Sequence, residues 1–254
     1  QKLREFVDAK AAYYTLPDFI ANDPICIPHR FSVLQDIEIA GLFAAILAWG
    51  NRTSIINKCT ELMKMMDDSP YEFIRHHEPR DRMKLLSFCH RTFNGLDLLY
   101  FIEFLQHYYM NVTSLEFAFC AHITPADENV EKALIGFRKV FFALEHPERT
   151  GKHVATPAKN SACKRLNMYL RWMVRKDENG VDFGLWRYIS PSQLVCPVDV
   201  HVSRVAARLG LIPEAKADWK TAAALTHQLR KLDPDDPAKY DFALFGLGVI
   251  EKYV

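Results

Sequence analysis

The chain lacks several things that would have assigned it to a class at once. No Cys-x-x-Cys pair occurs; the six cysteines stand singly at positions 26, 59, 89, 120, 163 and 196. That spacing argues against a zinc site or a cysteine-ligated iron–sulfur cluster. Cysteines scattered on apolar segments read instead as reduced core residues, which points to an intracellular, cytoplasmic protein. No leader-peptide pattern stands out, and the longest apolar run, Ile39 to Gly50, is too short to span a bilayer. A basic excess is also missing: the formal net charge is +1, with 10 histidines. Duplex-DNA binders usually carry such an excess, so any contact with nucleic acid has to come from a local basic face. Internal repeats, low-complexity tracts and strand-type alternation are absent or nearly so.

What is present is helix. The 254 residues are 49% apolar and 25% charged, ordinary values for a globular chain of one large domain or two small helical lobes. Lys2–Tyr14 reads as an amphipathic opening helix that stops near Pro17. Asp36 is placed to cap an apolar helix over 37–49, ended by Gly50, and a second helix follows at about 53–67. Ser69-Pro70-Tyr71-Glu72 has the form of a capping box with proline at the first helical position. Asn94-Gly95 marks a turn before a helix over 96–110, and Thr113-Ser114-Leu115-Glu116 opens a short one. A long amphipathic helix is expected over 128–145, then a polar loop to Asn160. Helix returns over 161–174, and irregular chain runs to Pro197. Helices over 199–209, 218–232 and about 236–252 complete an all-α reading.

Three places could carry chemistry. In Pro197-Val198-Asp199-Val200-His201, the aspartate sits at a helix N-terminus, where a carboxylate accepts backbone N–H groups and meets the positive end of the dipole. By spacing alone this is an N-cap. His201 and Arg204 follow in the first turn, where they can hold a phosphate or simply face solvent. Lys164 opens the helix 161–174 with Arg165, Arg171 and Arg175 nearby; most such lysines are surface residues. Asp241 and Phe245 are four apart and share a helix face. A phenylalanine there can stack on a base while the carboxylate accepts two hydrogen bonds from a guanine-type edge.

Pro197-Val198-Asp199-Val200-His201 closely resembles the segment with the catalytic aspartate in 8-oxoguanine DNA glycosylases, and is similar to the Val-Asp-Thr-His of endonuclease III. The resemblance is to the helix-hairpin-helix DNA glycosylase superfamily, and it implies that Asp199 is the catalytic carboxylate and His201 and Arg204 are DNA contacts. It implies that Lys164, 35 residues before Asp199, is the nucleophile that opens the second helix of the hairpin; the separation looks like that of the archaeal 8-oxoguanine enzymes. The segment 45–59, with Trp49-Gly50-Asn51-Arg52, resembles the helix–turn–helix that carries the asparagine wedge. Asn51 and Arg52 would then fill the hole left by a flipped base, and Trp49, Asp241 and Phe245 would recognise the base itself. The order of these elements matches from about residue 36 onward, whereas 1–35 and 78–150 do not match closely. The hairpin departs from the family, because Gly-x-Gly-x-Lys becomes Asn160-Ser161-Ala162-Cys163-Lys164. The chain also looks like a family of conserved bacterial proteins of unknown function.

The fold implied is one unit over 1–254 made of two interleaved helical lobes, with a hairpin region at about 153–210 and the active site between the lobes. The activity implied is excision of an oxidised purine such as 8-oxoguanine by a monomer acting on damaged duplex or single-stranded DNA, with no metal or organic cofactor and no membrane. A base inside a duplex is unreachable, so it would be flipped out. Lys164, as the neutral amine, would attack the sugar and form a Schiff base, and Asp199 would stabilise the developing charge or take the lysine's proton. Two other readings stay open: a superfamily member that binds DNA without catalysis, which suits the missing hairpin glycines, and a helical interaction protein with no nucleic-acid role.

Overall fold

The computed structural model describes residues 1–253. The chain is mostly helical, 60% of its residues lying in helix, and it forms two compact units interleaved in sequence. One comprises Gln1–Phe19, His122–Ile135 and everything from Ala155 onward; the other comprises Ile20–Ala121 and Gly136–Val154. We call the first the split unit and the second the middle unit.

The split unit begins with α1 (Lys2–Tyr14) and α2 (Pro17–Ala21), the latter continuing into the middle unit. The middle unit then runs α3 (Leu34–Ile46), α4 (Arg52–Met65), α5 (Pro70–His76) and α6 (Pro79–Leu85). A two-residue hairpin, β1 (Cys89–His90) with β2 (Phe93–Asn94), leads into α7 (Gly95–Tyr109) and α8 (Glu116–Cys120). The core of this unit is aromatic. Phe104 and Phe101 pack on Phe141 at 4.5 and 4.7 Å between centroids, and Phe119 stacks on Phe137 at 4.0 Å. Rings bury large areas with few rotamers to freeze, which suits a short helical unit.

Several boundaries differ from the sequence expectation for identifiable reasons. Asp36 does not cap its own helix. It lies inside the first turn of α3, and its carboxylate accepts from Tyr71 N at 2.8 Å, capping α5 instead. With that amide satisfied, Ser69 makes no side-chain cap, and the expected capping box does not form. Asn94 and Asp97 do form a reciprocal box at the start of α7. The long helix expected over 128–145 shortens to α9 (Glu131–Phe141), whose first residues belong to the split unit and whose remainder belongs to the middle unit. Two short helices, α2 and α6, were not expected, and Cys89 is exposed rather than core.

The rest of the split unit is α10 (Lys164–Val174), α11 (Val200–Arg208), α12 (Trp219–Arg230) and α13 (Tyr240–Phe245), which continues as a wider π turn through Gly246–Ile250. The observed α1 has the bounds read from the sequence, and it packs along α13. Tyr14 fixes that contact: its hydroxyl donates to Glu251 at 2.5 Å, and its ring lies so near Gly246 that a Cβ there would overlap it. Gly246→Ala is therefore expected to destabilise the chain by roughly 1–3 kcal/mol through overpacking, read as a lower urea midpoint. An unchanged midpoint would mean that α1 does not need this close approach.

Candidate active site

The approach to Lys164 is a tight turn rather than a helix. Thr156 caps a 3-10 turn over Pro157–Lys159, and Asn160 follows with φ 55. Positive φ is the conformation that glycine adopts freely and asparagine tolerates best among other residues. The turn therefore forms without glycine at either 160 or 162. Its other positive φ falls at Cys163, at 49. The turn is tied to the start of α12: Asn160 O accepts from Trp219 N at 3.2 Å, and Ser161 bridges Asp218.

Lys164 is the first residue of α10. Its Nζ lies 4.0 Å from Asp199 Oδ2 and 3.8 Å from Met168 Sδ. Both partners of the ion pair are partly exposed, at 28% and 31% of their side-chain surface, so the lysine side chain is open to solvent while its amine rests against Met168. Asp199 caps α11 with one oxygen only. Its Oδ1 accepts from His201 N at 2.9 Å and Val202 N at 3.0 Å, which leaves Oδ2 for the amine. The segment before it is held by burial of Val195, Cys196 and Val198, and by Cys196 N donating to Thr226 Oγ1 at 3.0 Å. Residues 35 apart in sequence are thus brought together by two helix N-termini. His201 and Arg204 are exposed, three residues apart, on the first turn of the same helix.

Asp241 lies on α13. It is buried, and Arg171 Nη1 donates to its Oδ2. Burial pushes its carboxyl up to about 6, against the opposing pull of Arg171 and Lys164 and with Asp199 and Asp182 adding to the rise. One of its oxygens is thus engaged within the protein. Phe245 is half-buried, with Phe19 edge-on to it at 6.4 Å.

Trp49, Asn51 and Arg52 belong to the middle unit. Asn51 caps α4, accepting from Ser54 N at 3.3 Å. Arg52 lies 3.8 Å from Asp23, and Trp49 is exposed with the Arg91 guanidinium 5.7 Å from its ring centroid. The sequence reading had missed the partners that matter most here. Arg171 and Arg175 bond Asp182 at 3.3 and 3.0 Å, and Arg175 also bonds Asp236 at 2.8 Å. The spacing of Lys164, Met168, Arg171 and Arg175 on one helical face was a usable signal. Asp182, in irregular chain, and Arg91, at a hairpin tip, gave none.

The elevated Asp241 carboxyl generates a pH prediction. A group that holds its proton better folded than unfolded adds stability below its ordinary value of 3.8, and that contribution is lost as pH rises through about 6. Relative to Asp241→Asn, the wild type should lose on the order of 3 kcal/mol between about pH 4 and pH 6.5, and little beyond. Paired urea denaturations at the two pH values measure the difference; parallel behaviour of the two proteins would contradict it.

A search of curated proteins and a search of solved structures each return no match. Residues 23–250 match a family described as protein of unknown function, DUF2400. That span includes Trp49, Asn51, Lys164, Asp199 and Asp241, and over it the chain belongs to the DUF2400 family.

Proposed function

We propose that this chain is a bifunctional base-excision DNA glycosylase of the helix-hairpin-helix superfamily, acting on an oxidised purine such as 8-oxoguanine through a lysine Schiff base. The observation that carries the reading is the pairing of Lys164 Nζ with Asp199 Oδ2 at 4.0 Å. An amine and a carboxylate that share a partly exposed site are the two groups the chemistry needs. As the neutral amine, Lys164 attacks the anomeric carbon while the bond from that carbon to the base breaks, and the base leaves with the bonding electrons and takes up a proton. Asp199 Oδ2 stabilises positive charge on the sugar and accepts the proton that the amine gives up. Because Oδ1 is fixed by two backbone amides, the carboxylate needs no reorganisation to do this. Opening of the sugar to the Schiff base then permits elimination of the 3′ phosphate, which nicks the strand.

Asp241 and Phe245 on α13, and Trp49 in the middle unit, would recognise the base; Asn51, Arg52, His201 and Arg204 would contact DNA. In this reading Arg171 orients Asp241 by holding Oδ2. A second reading, a DNA-binding protein without catalysis, is favoured by one feature, the absence of glycine at Asn160 and Ala162. Those glycines let backbone amides approach a phosphate closely.

Borohydride trapping on a duplex with one 8-oxoguanine separates the two. We expect a covalent complex with wild type, none with Lys164→Gln, and a rate lower by roughly 10²–10⁴-fold with Asp199→Asn. Failure to trap on that duplex, on an abasic-site duplex and on single strands would leave the binding reading. Affinity for DNA should also fall steeply with salt, because neutralised phosphates release counterions. Absence of binding at low salt would remove both.

A further inference from the structure

Arg91 has a conformation that needs explaining. It is exposed at the tip of the β1–β2 hairpin with φ 54, a region that residues other than glycine adopt uncommonly. Its guanidinium lies over the Trp49 ring and so close to Gly50 that a Cβ there would overlap it. Gly50 itself has φ 114, which is open to glycine alone. The neighbouring His90 is buried beside the backbone of Leu47 and Trp49, and burial holds its ring below the ordinary imidazole value against the opposing pull of that backbone. Trp49 N closes the turn tightly on Leu47 O at 2.6 Å. Two consecutive hairpin residues therefore pack against one turn, the His90 ring beside its backbone and the Arg91 guanidinium against Trp49 and Gly50.

The held turn presents a large ring to solvent. Trp49 is 53% exposed, whereas Trp172, Trp186 and Trp219 are buried. An indole kept at the surface, with its orientation fixed and a planar cation against it, suits a flat unsaturated ring that carries a nearby negative charge. A nucleobase with its phosphate has that chemistry, since bases stack on aromatic side chains and the cation draws the backbone. We propose that Arg91 is a positioning residue that holds Trp49 as a stacking platform for an unpaired nucleobase of a DNA strand. This rests on the DNA reading above, and adds to it the device that orders Trp49.

The test uses the intact chain and a short oligothymidylate, followed by anisotropy of a labelled strand and by tryptophan emission with an unlabelled one. Wild type should bind with loss of emission, and Trp49→Phe should lose that quenching because the other three indoles are buried. Arg91→Gln should bind roughly tenfold more weakly, with Arg91→Lys between the two. In the free protein, the neutral quencher acrylamide should reach the indole more readily in Arg91→Gln. Thermal melting checks that this variant is folded; if it is not, Arg91→Lys carries the comparison. Wild-type affinity, quenching and acrylamide access in the folded Arg91 variant would overturn the proposal. Binding by wild type without any loss of emission would overturn the platform and leave the DNA reading standing, whereas no binding at all would overturn both.

Discussion

The split unit depends on two guanidiniums taken out of water. Arg171 and Arg175 are both buried, and each must find carboxylates to replace its hydration. They share Asp182, which is itself buried, and reach beyond it to Asp241 and Asp236. Phe242 lies under both, with the Arg171 guanidinium carbon 4.1 Å from its ring centroid. The effect is to bolt α10 to the irregular chain after it and to α13, at positions fixed by the planar fork of arginine rather than by apolar contact alone. Removing any one partner would leave a charge buried without compensation, which is far more damaging than never having had the network.

This arrangement matters to Lys164 because the lysine and Arg171 lie on the same short helix, with Arg175 at its C-terminal cap. The C-terminal half of α10 is held by ion pairs and the N-terminal end by the turn at Asn160. The amine consequently has few ways to move relative to Asp199 except by its own side-chain rotation. Asp199 is constrained in a complementary way: backbone amides fix one oxygen, and the other is free to face the amine. A helix cap and an ion-pair partner are usually alternative explanations of an aspartate, and here one carboxylate does both because its two oxygens point to different partners.

Local signals in the sequence were read correctly where the partner was local. The bounds of α1, the turn at Asn94 before α7, the cap at Asp199, and the break before α12 at Asp218 all depend on residues within a few positions. The failures share a cause in distance. Asp36 looked like the cap of its own helix, but its partner is an amide 35 residues away, and that same bond removed the need for Ser69 to cap α5. The bond from Arg171 to Asp241 was not foreseen because nothing near Asp241 in sequence announces a partner 70 residues earlier. Cys89 and Arg91 were obscured for another reason: a hairpin of two-residue strands is too short to leave an alternating pattern.

The interleaving of the two units imposes an order on how the chain can be completed as it leaves the ribosome. Everything the middle unit needs has been synthesised by Val154. The split unit has by then only its two early segments, and must wait for Tyr240–Phe245 before α1 has the helix it packs on or Arg171 has Asp241. Since domains fold as units, beginning with the parts made first, the aromatic middle unit closes while the apolar face of α1 is still uncovered. The amine–carboxylate pair is therefore among the last features of the molecule to be fixed, assembled on a chain that is already half folded.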